Sequence, residues 1–330
     1  MRQPKDAGPA GPGPSLPLYG AIDMGGTKTA LAVVGQGGAV IRRTRFETPA
    51  RPAPEALLDR IAAAWRALLP PTGEPGLPPI AAVGVAVPGP TDAAAGVLAQ
   101  AFDWPWRDVP VAALLTARLG LPVRIENDVN CCCLAERAFG AARGVDDFAW
   151  VQLSTGVGAG LVLGGRLYSG AAGLAGELGH LEVAEGGPLC ACGRRGCLQA
   201  LVSGPAIARR WAEARGGAGE APSGAAEAAS APGAGAVFSR CAAGDATAQA
   251  LVRAIATDLG RGLAVLVNLL NPALVVLGGG VMESLHAHLP AVSEAMRARV
   301  IGEANRRIPV TRSAVGYDAA LLGAAVLAGA

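Results

Sequence analysis

Along this chain, short runs of apolar residues end in turns rich in glycine and polar side chains, and between them lie stretches whose apolar positions recur at helical spacing. The first run begins at Leu18 and meets the turn Asp23-Met24-Gly25-Gly26-Thr27-Lys28; a second, Thr29 to Val34, follows at once, so a β-hairpin with a polar tip is predicted. Pro54 to Leu69 reads as a helix, and Ile80 to Val87 as a buried strand stopped by Pro88-Gly89-Pro90. Val111 to Leu119 is a further helix, closed by Gly120, and Val123 to Ile125 a short strand leading into Glu126-Asn127-Asp128 and a helix from Val129 to Phe139. Ala149 to Leu153, the glycine-rich turn Ser154 to Gly160, and Leu161 to Leu163 then repeat the opening arrangement. A helix from Ala248 to Leu270 ends at Asn271-Pro272, and a strand from Ala273 to Leu277 opens onto Gly278-Gly279-Gly280. Two hairpins with polar tips in successive halves predict a duplicated α/β architecture with both tips facing a shared cleft.

Composition narrows the class. With 330 residues, 51% hydrophobic content and 16% charge, the chain can bury enough surface for two domains. A net charge of +2 without clustered Lys and Arg argues against a nucleic-acid or anionic-membrane partner. The longest apolar stretch, Leu263 to Leu277, is interrupted by Asn268 and Asn271-Pro272, and the run from Ala319 to Ala330 is too short to cross a bilayer. Seven cysteines, three of them adjacent at 131 to 133, suit a reducing compartment, so a cytoplasmic location is expected. Residues 1–17, rich in Pro and Gly and without a signal-peptide core, are expected to be a disordered lead, and residues 216–236, almost all Gly, Ala, Ser, Pro and Glu, a mobile insertion.

Candidate chemistry sits in the turns. His180 with Cys190, Cys192 and Cys197 is the donor set of a closed tetrahedral zinc site, and Gly193 and Gly196 allow the tight turns that bring the sulfurs together. Asp23 through Lys28 offers glycine backbone, the Thr27 hydroxyl and the Lys28 ammonium to a phosphate, although a Gly-Gly turn is also an ordinary hairpin tip. Lys28 is one of only two lysines in a chain that writes its cations as Arg, which points to a geometric need for a compact charge there. Thr155-Gly156 and Gly278-Gly279 form the second and third glycine-rich turns after apolar strands, as a nucleotide cleft requires. Asn127 and Asp128 stand where a strand gives way to a helix; helix capping explains them, and in a phosphate-transfer cleft Asp128 could accept the proton of an attacking hydroxyl.

Taken together, Asp23 to Lys28, Val87 to Pro90, Glu126 to Asn130, Thr155 to Gly158, Gly176 to His180, the three-Cys run, Val275 to Gly280 and Asp318 to Ala325 resemble the ROK family of bacterial sugar kinases and sugar-responsive repressors. The resemblance implies a two-domain α/β chain of the actin-like and hexokinase (ribonuclease H-like) fold, divided into 18–125 plus 315–330 and 126–314. It implies ATP-dependent phosphorylation of a hexose at its C6 hydroxyl, with Mg²⁺ accompanying the nucleotide, a structural Zn²⁺ and a homodimer. By the same likeness Asp128 is the catalytic base. Gly89, Asn127, Glu177 and His180 fall at sugar positions, and Asp23, Gly25, Gly26, Thr27, Lys28, Thr155, Gly156, Gly278 and Gly279 at nucleotide positions. Two substrate positions depart from the family: Gln199 replaces the usual Glu, and Asp103 stands in the loop Phe102-Asp103-Trp104-Pro105-Trp106 where the family commonly has Pro-Asn-Leu-Pro-Trp. Glucose is the expected sugar, ahead of N-acetylmannosamine, N-acetylglucosamine and fructose. A repressor of the same family would need a DNA-binding segment ahead of Leu18, where only seventeen residues stand, and a sugar-sensing protein without catalysis is the remaining alternative.

Overall fold

The computed structural model describes residues 17–69, 78–101, 104–216 and 233–330. Strands β1 (Leu18–Met24), β2 (Lys28–Val34) and β3 (Val40–Glu47) form an antiparallel meander, then helix α1 (Pro54–Leu68) leads to β4 (Ile80–Val87). A small antiparallel sheet of β5 (Thr91–Asp92), β6 (Val97–Gln100) and β7 (Arg107–Val109) precedes α2 (Val111–Leu119) and β8 (Val123–Asn127). The first large sheet runs β3-β2-β1-β4-β8, with β4 and β8 parallel to β1 and β4 respectively. Central β4 is covered on both faces, which is why it reads as an unbroken apolar run.

After α3 (Asp128–Phe139) the plan repeats. Strands β9 (Phe148–Leu153), β10 (Val157–Leu163) and β11 (Arg166–Leu167) pair antiparallel, and β12 (Leu274–Gly278) and β13 (Val310–Arg312) add in parallel, giving β11-β10-β9-β12-β13. The two sheets thus share one strand order, the duplication that the two polar hairpins imply. Between β11 and β12 lie α4 (Gln199–Val202), α5 (Gly204–Ala214), α6 (Ala234–Ala242) and α7 (Ala246–Leu270); α8 (Met282–Leu285), α9 (Leu289–Arg297), α10 (Glu303–Arg306) and α11 (Ala319–Ala328) complete the chain. Among the described residues no helix is long and apolar enough to cross a membrane.

Each sheet has its own core. Leu57, Ile61 and Trp65 of α1 and Leu115 of α2 pack on the first, while Ile255, Leu259 and Leu263 of α7, with Met296 of α9, cover the second. Helices α3 and α11 lie between the two sheets and cross at backbone contact distance. A β-carbon on Gly323 would stand 1.7 Å from the Cys131 carbonyl oxygen, and one on Gly84 of β4 would stand 1.8 Å from that of Ala324. The Cys131-Cys132-Cys133 run is the other half of this joint. Cys131 packs among Ala21, Ala32 and Ala324 on the side of the first sheet, and Cys132 and Cys133 against Phe148 and Trp150 of the second. Burial pushes all three thiols up, so they remain protonated packing residues.

Several expected boundaries shift. Strand β8 continues two residues beyond Ile125, because Glu126 and Asn127 pair with Ala86 and Val87, and α3 begins one residue early, at Asp128. Gly278 belongs to β12 rather than to the turn after it. Most of the expected mobile insertion, 217–232, lies outside the described residues; its last residues, from Ala234, are helical, since Val237 and Phe238 find apolar cover. Strand β3, a largely polar edge strand, and the short strands β5, β6 and β7 escaped the apolar pattern.

Candidate active site and metal centre

The two hairpins converge on the start of α3. Asn127 caps this helix, its Oδ1 accepting from the amides of Val129 (2.9 Å) and Asn130 (3.2 Å). Its Nδ2 donates to the Gly89 carbonyl (3.2 Å) and to Asp128 Oδ1 (3.0 Å), which also accepts from the Val129 amide (2.9 Å). The Asp128 carboxylate, half-buried, is therefore aimed by neighbours and sits in the positive field of a helix N-terminus. Gly89 is needed for this approach: its φ is +130° and a β-carbon would lie 2.2 Å from the Gln100 carbonyl oxygen.

A second layer, which the motif reading missed, holds this turn from below. The Glu126 carboxylate is buried and accepts from Thr91 Oγ1 (3.2 Å), the Asn127 amide (2.8 Å) and Asn130 Nδ2 (3.0 Å), while Asn130 also donates to Ser169 Oγ (3.3 Å). The alternation of β8 gave no signal for it, since Glu126 shares a strand face with exposed Arg124.

Strand register places Asp23 opposite. Across the first sheet, Arg45, Ala30, Asp23, Ala86 and Glu126 are successive lateral neighbours, so Asp23 shares a face with Glu126 at the mouth of the hairpin. Burial, then the carboxylates of Asp128 and Asp318, raise the Asp23 pKa to about 7. Asp318 in turn is held by both guanidinium nitrogens of Arg43, at 3.0 and 2.7 Å. The tip beyond Asp23 is tight. The Gly25 amide donates to the Lys28 carbonyl (3.0 Å), a β-carbon on Gly25 would stand 2.7 Å from that oxygen, and Thr48 Oγ1 donates to the Gly25 carbonyl (2.8 Å). Gly26, Thr27 and Lys28 are left exposed for an incoming ligand.

The second hairpin carries exposed Thr155, and a β-carbon on Gly158 would lie 3.5 Å from the Val129 methyl group Cγ2, so β10 also abuts the start of α3. Gly279, φ +93°, brings the third loop against the Leu153 carbonyl, from which a β-carbon would stand 2.5 Å; Gly278 has a packing reason instead, its missing side chain replaced by the Trp150 indole.

Glu177 and His180 flank this hairpin. Glu177 precedes and His180 ends the short turn Leu178–His180, with His180 Nε2 3.8 Å from Glu177 Oε2. The other ring nitrogen, Nδ1, faces Cys190 Sγ at 3.7 Å, and Cys192 Sγ is 3.7 Å from Cys197 Sγ; the four donor atoms all lie within 4.8 Å of one another. Tetrahedral zinc with Zn–S bonds of about 2.3 Å sets its sulfurs roughly 3.8 Å apart, so this donor set fits the ion. Gly193 (φ +85°) and Gly196 (φ +71°) make the turns, and a β-carbon on Gly196 would strike the Ala184 carbonyl at 1.9 Å. A backbone hydrogen bond from Arg194 lowers exposed Cys192 to about 6, whereas burial raises Cys197 to about 12. Asp103 lies outside the described residues.

The sequence model described as ROK family matches residues 19–330. The chain belongs to the ROK family. This ROK chain is 31% identical over 317 residues to a glucokinase of Thermotoga maritima, covering 94% of the chain and 97% of that relative. It is 34% identical over 324 residues to an N-acetylmannosamine kinase of Escherichia fergusonii, covering 93% of the chain and 97% of the relative. Among solved structures it resembles a ROK glucokinase of Streptomyces griseus in complex with glucose and AMPPNP, with a TM-score of 0.76, 31% identity, and 94% and 99% of the two chains covered. The paired sheets of this ROK chain are those of the actin-like fold.

Proposed function

We propose that this chain is an ATP-dependent hexose kinase whose base is Asp128, with the C6 hydroxyl of glucose as the favoured acceptor. The observation that carries the reading is the oriented carboxylate at the start of α3, set between two glycine-tipped hairpins. In the reaction, Asp128 takes the proton of the sugar hydroxyl, the freed oxygen bonds to the γ-phosphorus of ATP, and the β–γ bridging oxygen leaves with ADP. Asn127 has its oxygen in the helix cap and its amide on Gly89 and Asp128, so it serves the sugar by aiming the base. Glu177 and His180 Nε2 offer polar groups to the sugar's other hydroxyls. Gly25 to Lys28 and Thr155-Gly156 offer amides, hydroxyls and an ammonium to the phosphates. A Mg²⁺ ion entering with the nucleotide would neutralise phosphate charge, and Asp23, crowded by two carboxylates, is the residue best suited to face it. We assign Zn²⁺ to His180, Cys190, Cys192 and Cys197, with four protein ligands and therefore a structural role. A two-domain division around the α3–α11 joint, a homodimer and a cytoplasmic location belong to the same reading.

N-acetylmannosamine is the second candidate, supported by the N-acetylmannosamine kinase named above. A coupled assay with ATP, Mg²⁺ and a panel of hexoses and N-acetylhexosamines tests the proposal; absence of phosphoryl transfer to every sugar would leave a sensor instead. Asp128→Asn should lower kcat by roughly 100- to 10,000-fold with sugar affinity retained, and near-normal turnover would remove Asp128 as base.

A further inference from the structure

One residue of the second hairpin, Val157, is gripped from two sides by the metal-binding segment. Residue 179, next to the ligand His180, packs on the Val157 carbonyl so closely that a β-carbon on Gly179 would stand 2.1 Å from that oxygen. Residue 199, two beyond the ligand Cys197, reaches the same residue's other side: Gln199 Oε1 accepts the Val157 amide hydrogen at 3.1 Å. An amide N–H requires an acceptor, so the orientation of the Gln199 carboxamide is settled by its partner. The same oxygen would lie 3.4 Å from a β-carbon on Gly156. The Leu198 amide donates to the Leu181 carbonyl (2.9 Å), so the two gripping arms are tied to each other just outside the ligand set.

We propose that Gln199 is a positioning residue that couples the metal centre to the Thr155-Gly156 loop, and that its oxygen serves that loop rather than the sugar. The carboxylate that the family usually has here could accept the same hydrogen bond, so the tether needs an acceptor oxygen rather than a charge. The proposal rests on reading Thr155-Gly156 as a donor-phosphate loop.

The test compares the zinc-loaded wild-type chain with Gln199→Leu and Gln199→Glu. Amide hydrogen exchange across residues 154–158, without any ligand, should speed up in Gln199→Leu and return to the wild-type rate in Gln199→Glu, which keeps an acceptor. Chelation of the metal from wild-type protein should speed the same amides. In calorimetry, Gln199→Leu should weaken AMPPNP about fivefold, the effect of one lost hydrogen bond, while glucose affinity stays within about twofold. Unchanged exchange at 154–158 in Gln199→Leu, or a loss confined to glucose, overturns the inference and returns Gln199 to the sugar. If the wild type binds no AMPPNP, the kinase reading fails, and the ligand-free exchange experiment still decides whether the tether exists.

Discussion

Asp23 is held in an unusual protonation state for an aspartate. Its carboxyl is raised from 3.8 to about 7 by burial and by the charges of Asp128 and Asp318. Between those values the native state keeps a proton that the unfolded chain has released. This residue's contribution to stability is therefore fully present below about pH 3.8 and is lost as pH rises towards 7. Asp23→Asn removes the titration. In nucleotide-free protein the variant should gain in Tm over wild type as pH is raised from 5 to 8, and a constant difference across that range would contradict the assignment. The same variant should lose turnover, because on the proposed reading Asp23 faces the Mg²⁺ that accompanies the nucleotide. At this scale the sequence was readable in placement: the four donor side chains converge, and Asp128 stands at the start of a helix, as their motifs implied. It was silent on Glu126 and on the partner of Gln199, because both act through strands and loops distant in the chain, and pairing across such distances is a property of the fold.

Two elements carry stability through geometry rather than apolar area. The metal segment is an irregular loop with two isolated bridges, Glu182 with Cys197 and Leu189 with Arg195, and it has little core of its own. Cys192→Ser should lower bound metal, measured by atomic emission, from about one per chain and reduce Tm by several degrees; undiminished metal would exclude Cys192 as a ligand. Crossing helices α3 and α11 depend instead on small residues. Gly323→Ala places a methyl group where the Cys131 carbonyl stands, and should cost about 2 kcal/mol in denaturant unfolding; a neutral result would mean that the helices separate freely. The helices and buried strands were legible from periodicity. This crossing was not, since glycine and cysteine in a helix have no pattern that distinguishes a close contact from an accident of composition.

At the scale of the molecule, two sheets of one strand order face each other across a layer of two helices, with the start of α3 at the mouth. If a sugar draws Asp128, Glu177 and Gly89 together, the halves should close around it. Small-angle scattering should then show a smaller radius of gyration with glucose present, and an unchanged profile at saturating sugar would argue for a preformed cleft. The duplication was visible beforehand in the two polar-tipped hairpins, whereas strand β3 was hidden by its polar residues and the small third sheet by the shortness of its strands.

The joint of Gly84, Cys131, Gly323 and Ala324 sets what kind of motion such closure can be. With main chains already touching between α3 and α11, and between α11 and β4, this layer has no slack, so the proposed closure would be a swing or slide about it rather than an approach across it. A bulkier side chain at the seam would act as a doorstop, leaving the chemical groups intact while hindering the swing proposed to bring them to the substrate.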